Sequence, residues 1–159
     1  GYHQYEISNF AKEGKACRHN LSYWERKNYL GFGTGAASLL CEQRYTNTDS
    51  LALYIDTMAE LEEKKEVISK ALAAVRAEQH TLSVPEQMEE MFFLGLRKNS
   101  GISEADFLGK FGKTVDDIYA QALEKNQKFG LLVRENGRIF LTKRGREVSN
   151  VVMSEFLLD

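Results

Sequence analysis

The sequence predicts an α+β chain: short strands over the first third, helices through the middle, and a mainly helical C-terminal unit containing a hairpin. Three observations carry this. Residues 1–47 are rich in glycine and aromatics and lack a helical period. Residues 48–99 repeat apolar side chains at helical spacing. Residues 100–159 are punctuated by capping residues, Gly130 and the pair Asn136-Gly137.

In the first stretch, Tyr5-Glu6-Ile7-Ser8 alternates and reads as a short strand, followed by a loop from Asn9 to Asn20. A second extended segment is expected near Tyr29-Leu30, before the glycines Gly31, Gly33 and Gly35, and Arg44-Tyr45-Thr46-Asn47 reads as another strand. These pieces look like part of a sheet whose other strands lie elsewhere, so a trimmed chain is expected. Its open strand edges would favour self-association.

In the second stretch, Ser50 can cap a helix with Leu51, Tyr54, Ile55, Met58 and Leu61 on one face. Val67, Ile68, Leu72 and Val75 continue the stripe, and the charged run at 62–65 reads as a solvated face. Ser83-Val84-Pro85-Glu86 is a helix start: the Ser83 hydroxyl can accept backbone N–H bonds, Glu86 can reach back, and proline is tolerated in the first turn. Met88, Met91, Phe92 and Leu96 then line a buried face.

Ser103 starts a short helix burying Phe107 and Leu108, with Phe111 near its end. Thr114 starts the next, with Ile118, Ala122 and Leu123 inward, and Gly130 ends it in the left-handed conformation. Leu131-Leu132-Val133 and Ile139-Phe140-Leu141 flank Asn136-Gly137, a type I′ hairpin signal. A last helix carries Val148, Val151, Val152 and Phe156. Helix, helix, hairpin, helix is a winged-helix-like order.

Composition narrows the function classes. A net charge of −2 argues against a general nucleic-acid binder. Residues 101–159 hold nine acidic and nine basic side chains, and the helix that would enter DNA carries Asp116, Asp117 and Glu124. No apolar run reaches the roughly 18–20 residues of a membrane span, so no transmembrane segment is expected. No signal-peptide pattern is visible in the sequence, and a cytoplasmic protein is expected. Cys17 and Cys41, 24 positions apart, match no zinc or cluster spacing and read as reduced thiols.

The sharpest motifs are Tyr5-Glu6-Ile7-Ser8-Asn9-Phe10-Ala11, then His19-Asn20-Leu21-Ser22-Tyr23-Trp24, then Gly31-Phe32-Gly33-Thr34-Gly35-Ala36. In this order they resemble the end of the radical-SAM core in the HemW family of haem chaperones, relatives of oxygen-independent coproporphyrinogen III oxidase. Residues 88–97 resemble the helix opening that family's C-terminal domain, and Leu141-Thr142, Gly145, Ser149-Asn150 and Phe156 resemble its last helix. The pattern is broken at Ala37, where many relatives have His, and at Thr34, where many have Pro.

The resemblance implies three regions: the terminal strands of a partial (β/α) barrel at 1–47, a helical connection at 48–85, and a winged-helix-like C-terminal domain at 86–159. It implies haem and haem-acceptor proteins as partners and the missing N-terminal barrel among the contacts; the charge balance adds that no nucleic acid is expected. The alternative is the enzyme, a radical coproporphyrinogen III oxidase; the HNxxYW segment favours the chaperone. The family's [4Fe–4S] cluster and S-adenosylmethionine need a CxxxCxxC loop that this sequence does not contain, so no complete cofactor set and no catalytic residue are expected here.

A neutral imidazole is a good iron ligand, which makes His19 the candidate metal ligand, with Asn20, Tyr23 and Trp24 as haem-binding candidates. The plainer reading has His19 fixing a loop and Trp24 in the core. Gly31, Gly33 and Gly35 are expected either to let a ligand approach the backbone closely or to pack tightly. They also fit a dinucleotide fingerprint, which would need a helix opening directly after them.

Overall fold

A computed structural model describes residues 1–63, 70 and 73–158. The chain forms two compact units: Gly1–Lys27 with Ser83–Asp159, and Asn28–Leu82. These limits divide the chain differently from the expected boundaries at 47/48 and 85/86.

The first unit opens with a short antiparallel pair, β1 (His3–Gln4) and β2 (Phe10–Ala11). The strand expected at 5–8 is a bend instead. The Glu6 side chain reverses the chain there, its Oε1 accepting from Ser8 N and Asn9 Nδ2, each at 2.7 Å. The loop expected from Asn9 to Asn20 is also shorter, because helix α1 (Arg18–Trp24) already contains His19 and Asn20.

The second unit is an antiparallel sheet of β3 (Ala37–Leu40), β4 (Gln43–Asn47) and β5 (Arg76–Thr81), in that order, with helix α2 (Leu51–Glu63) between β4 and β5. Tyr29 bridges to Leu39, as the extended reading of that segment expected. The strand β5 corrects the reading of 48–99 as helical throughout. Its residues are polar and mostly exposed, so no apolar alternation betrays it. Helix α2 keeps Tyr54, Met58 and Leu61 half-buried, but Leu51 and Ile55 are exposed. Val67, Ile68 and Leu72 lie outside the described residues, whereas Val75 is buried.

The chain then returns to the first unit. Helix α3 (Val84–Gly95) begins with the expected capping box, Ser83 accepting from Glu86 N while the Glu86 carboxylate accepts from Ser83 N, and Pro85 sits in the first turn. Strand β6 (Ile102–Ser103), α4 (Glu104–Phe111), α5 (Val115–Lys128) and the hairpin β7 (Leu132–Glu135)–β8 (Arg138–Leu141) follow. The three strands form one antiparallel sheet in the order β6-β8-β7. Asn136 and Gly137 both take positive φ, 53° and 70°, as a type I′ turn requires. Two short helices, α6 (Lys143–Glu147) and α7 (Ser149–Ser154), replace the single last helix, because Val148 between them leaves the helical conformation at φ −120°, ψ 29°.

One core unites these elements. Phe92 of α3 stacks on Phe156 at 4.4 Å between centroids and packs edgewise or tilted against Phe107 and Tyr119. Met88, Leu96, Ile102, Leu123, Ile139, Leu141 and Val152 complete it. Each buried aliphatic or aromatic side chain contributes about 1.5–3 kcal/mol of burial, so this C-terminal core is the main source of stability. Leu108, expected inside, is exposed. Among the described residues, no helix is long and apolar enough to cross a membrane.

Candidate functional site

The segment His19–Trp24 lies on α1, a helix with no buried residue and no side-chain cap at Cys17. At 3.6 residues per turn, His19 and Tyr23 form one surface row, and Asn20 and Trp24 the next. The His19 and Tyr23 rings meet edge-on with centroids 4.8 Å apart. His19 is exposed; Asn20, Tyr23 and Trp24 are half-buried. The helix ends when Arg26 turns to φ 51°, and its guanidinium Nε donates to Glu90 Oε2 of α3 at 2.9 Å.

Trp24 faces the body of the unit. The Arg97 guanidinium lies 4.4 Å over its ring, and Arg97 stands 3.6 Å from Oε2 of the fully buried Glu6. Backbone bonds draw the same parts together: Ile7 N donates to Arg97 O, and Asn99 N donates to Tyr5 O. Arg97, over Trp24, and Glu90, which accepts from Arg26, hold α1, while Glu6 and Asn99 tie the N-terminal segment to the same place; none of them stands out in the sequence. Glu6 and Arg97 sit inside the quoted motifs, but a buried ion pair leaves no spacing to read.

The glycines belong to the other unit. Gly31 N donates to Ser38 Oγ, Gly33 N to Tyr54 Oη and Gly35 N to Thr48 O, while Asn47 Nδ2 donates to the carbonyls of Gly31 and Gly33. Gly31 approaches the Ala37 carbonyl too closely to admit a side chain. Gly33, at φ 97°, needs its freedom for the turn alone, since a Cβ there would meet nothing. Strand β3 follows, not a helix, which excludes the dinucleotide fingerprint.

An iron–sulfur cluster does not fit the residues present. Cys17 and Cys41 are both exposed, one in each unit, and three thiolates from one loop would be needed. Among the described residues, no group of three or more His, Cys, Asp or Glu side chains is placed to hold a metal ion.

Residues 82–148 match the family model of the HemN C-terminal domain. The chain is 36% identical to the haem chaperone HemW of Bacillus subtilis over 157 residues, covering 99% of this chain and 38% of that protein. It is 37% identical to HemW of Lactococcus lactis over 161 residues, again covering 38% of that protein. A zebrafish (Danio rerio) mitochondrial radical S-adenosyl methionine domain-containing protein 1 is 32% identical over 131 residues, 73% of this chain and 28% of its own length. The solved structure of coproporphyrinogen III oxidase (HemN) from Escherichia coli, a radical SAM enzyme, superposes with a TM-score of 0.68 at 16% identity, over 98% of this chain and 37% of that one. The chain thus spans less than two-fifths of the curated HemW proteins it matches.

Proposed function

Because the chain is HemW-like and carries a HemN-type C-terminal domain, we propose that it serves a protein that binds haem and delivers it to acceptor proteins. The observation that carries this reading is whole-chain similarity to HemW together with an exposed imidazole at His19. His19 would ligate iron through one nitrogen. Tyr23, whose ring already meets the imidazole, would limit its rotation, and Asn20 on the adjacent row would supply an orienting hydrogen bond. Trp24 would anchor the helix by packing under Arg97 and offer apolar area at the ring edge. The glycine turn at Gly31, Gly33 and Gly35 would let a ligand approach the backbone of its own unit closely.

The radical-SAM reading extends this proposal. S-adenosylmethionine and a [4Fe–4S] cluster would be held by residues that this sequence does not contain, in a cytoplasmic protein. Residues 86–159 read as a winged-helix-like domain, supported by the order helix, short strand, two helices, hairpin, two short helices. That domain would act as a docking or lid element. Haem titration tests the function: saturable one-to-one binding with a shifted Soret band is expected, with no consumption of coproporphyrinogen III under anaerobic conditions. Turnover of coproporphyrinogen III, or haem uptake no different from that of an unrelated protein, would refute it.

A further inference from the structure

The first unit holds a cleft of about 500 Å³, within the size range of small-molecule sites. Trp24, Met91 and Ile102 supply its apolar lining. Its charged lining is unequal: Arg26, Lys27, Lys98, Lys110 and Arg138 against Glu25 and Asp106. Arg26 is engaged by Glu90. Glu25 serves two ammoniums, Lys27 at 2.6 Å and Lys98 at 3.8 Å, the second beyond hydrogen-bond length. Arg138 donates to the carbonyls of Ser100 and Gly101, neutral acceptors that leave its charge uncancelled. The Lys98 side chain is only 12% exposed. Burial holds its ammonium below its ordinary range; Glu25 and Asp106 oppose that, and the neighbouring Arg138 and Lys27 add to it. The Trp24 indole N–H is also buried and has no acceptor among the described residues.

A cleft lined by five cationic and two acidic side chains, beside a buried N–H donor, suits a ligand with negative oxygen atoms. We propose that it binds a small organic anion, with a carboxylate or phosphate head at Lys98, Lys110 and Arg138 and a flat apolar body against Trp24, Met91 and Ile102. Its concavity fits a small molecule rather than a polymer backbone. His19 does not line it, so this site is distinct from the proposed iron ligand.

Trp24 is the sole tryptophan and lies in the cleft wall, so its fluorescence reports occupancy. Phenyl phosphate, benzoate and uncharged benzamide share one ring and differ in the head. Saturable quenching or shift is expected with at least one of the two anions at millimolar concentration and not with benzamide. The tighter anion identifies the head. Lys98→Gln and Lys110→Gln should each raise its Kd about tenfold, the loss of one charge-assisted contact, while Lys125→Gln, away from the cleft, should not change it. The urea midpoint checks folding, and if Lys98→Gln unfolds, the exposed Lys110 decides. Equal response to benzamide, no saturation with either anion, or unchanged affinity in Lys110→Gln would overturn the proposal.

Discussion

Glu6 is a single side chain on which the seating of the N-terminal segment depends. It is fully buried, its Oε1 accepts two hydrogen bonds at 2.7 Å, and its Oε2 faces Arg97 at 3.6 Å. Glu6→Ala removes the acceptor from Ser8 N and Asn9 Nδ2 and leaves the guanidinium over Trp24 without its counter-charge. Removing one partner of a buried ion pair costs about 3–5 kcal/mol, and each donor left unsatisfied costs about 1–3 kcal/mol. These contributions overlap because one carboxylate serves all three partners. Adding them would count the same desolvation twice, so we expect a total of about 3–5 kcal/mol. Glu6→Gln keeps an oxygen acceptor and loses only the charge, so about 1–2 kcal/mol is expected. Urea unfolding followed by Trp24 fluorescence reads the unit directly, since Trp24 lies under Arg97. A Glu6→Ala loss below about 0.5 kcal/mol, the size of an ordinary surface substitution, would refute the clamp.

Other consequences are testable together. The β3–β4 turn places Cys41 and Glu42 at φ 47° and 62°, where Asn-Gly is preferred, so Cys41→Asn with Glu42→Gly should stabilise the sheet by about 1 kcal/mol. Hydrogen exchange of β4 amides should slow accordingly, and unchanged or faster exchange would contradict the strain. Glu25, Asp116 and Asp117 are held below their ordinary values, by Lys27, Arg134 and Thr114 respectively. Their contribution is present above the unfolded values of 4.5 and 3.8 and is lost as pH falls through the lower folded ones. The urea midpoint of the first unit should therefore fall steadily in acid, and a flat midpoint down to about pH 2 would contradict it. Random duplex DNA should show no binding at physiological salt, given the balanced charge of residues 101–159; a salt-sensitive micromolar complex would refute the charge argument.

The C-terminal elements were legible because their signals are local. Ser83, Thr114, Gly130 and Asn136-Gly137 each state a cap or turn within a few residues, and the structure places each as read. The strand β5 was not legible. Arg76-Ala77-Glu78-Gln79-His80-Thr81 is an exposed, polar edge that pairs only through its backbone, and pairing at a distance leaves no period. The β3–β4 hairpin was only half visible, since its turn lacks the usual glycine. The helix around His19 is not legible as one, because seven residues, about two turns with no fully buried side chain, are too few to show a helical period. For the candidate site, motif resemblance singled out His19, Tyr23 and Trp24. Glu6 and Arg97, paired behind Trp24, and Lys98, which lines the cleft, emerge only from tertiary contacts.

The central claim, that His19 presents its imidazole to haem iron, is tested most directly by the absorption spectrum of the haem complex before and after His19→Ala. Ligand loss at constant fold should shift the Soret band and change the spin state. Affinity should weaken without vanishing, because apolar burial of the ring supplies part of the binding. A His19→Ala protein with the same urea midpoint and an unchanged Soret band and affinity would place the iron ligand elsewhere and contradict the account.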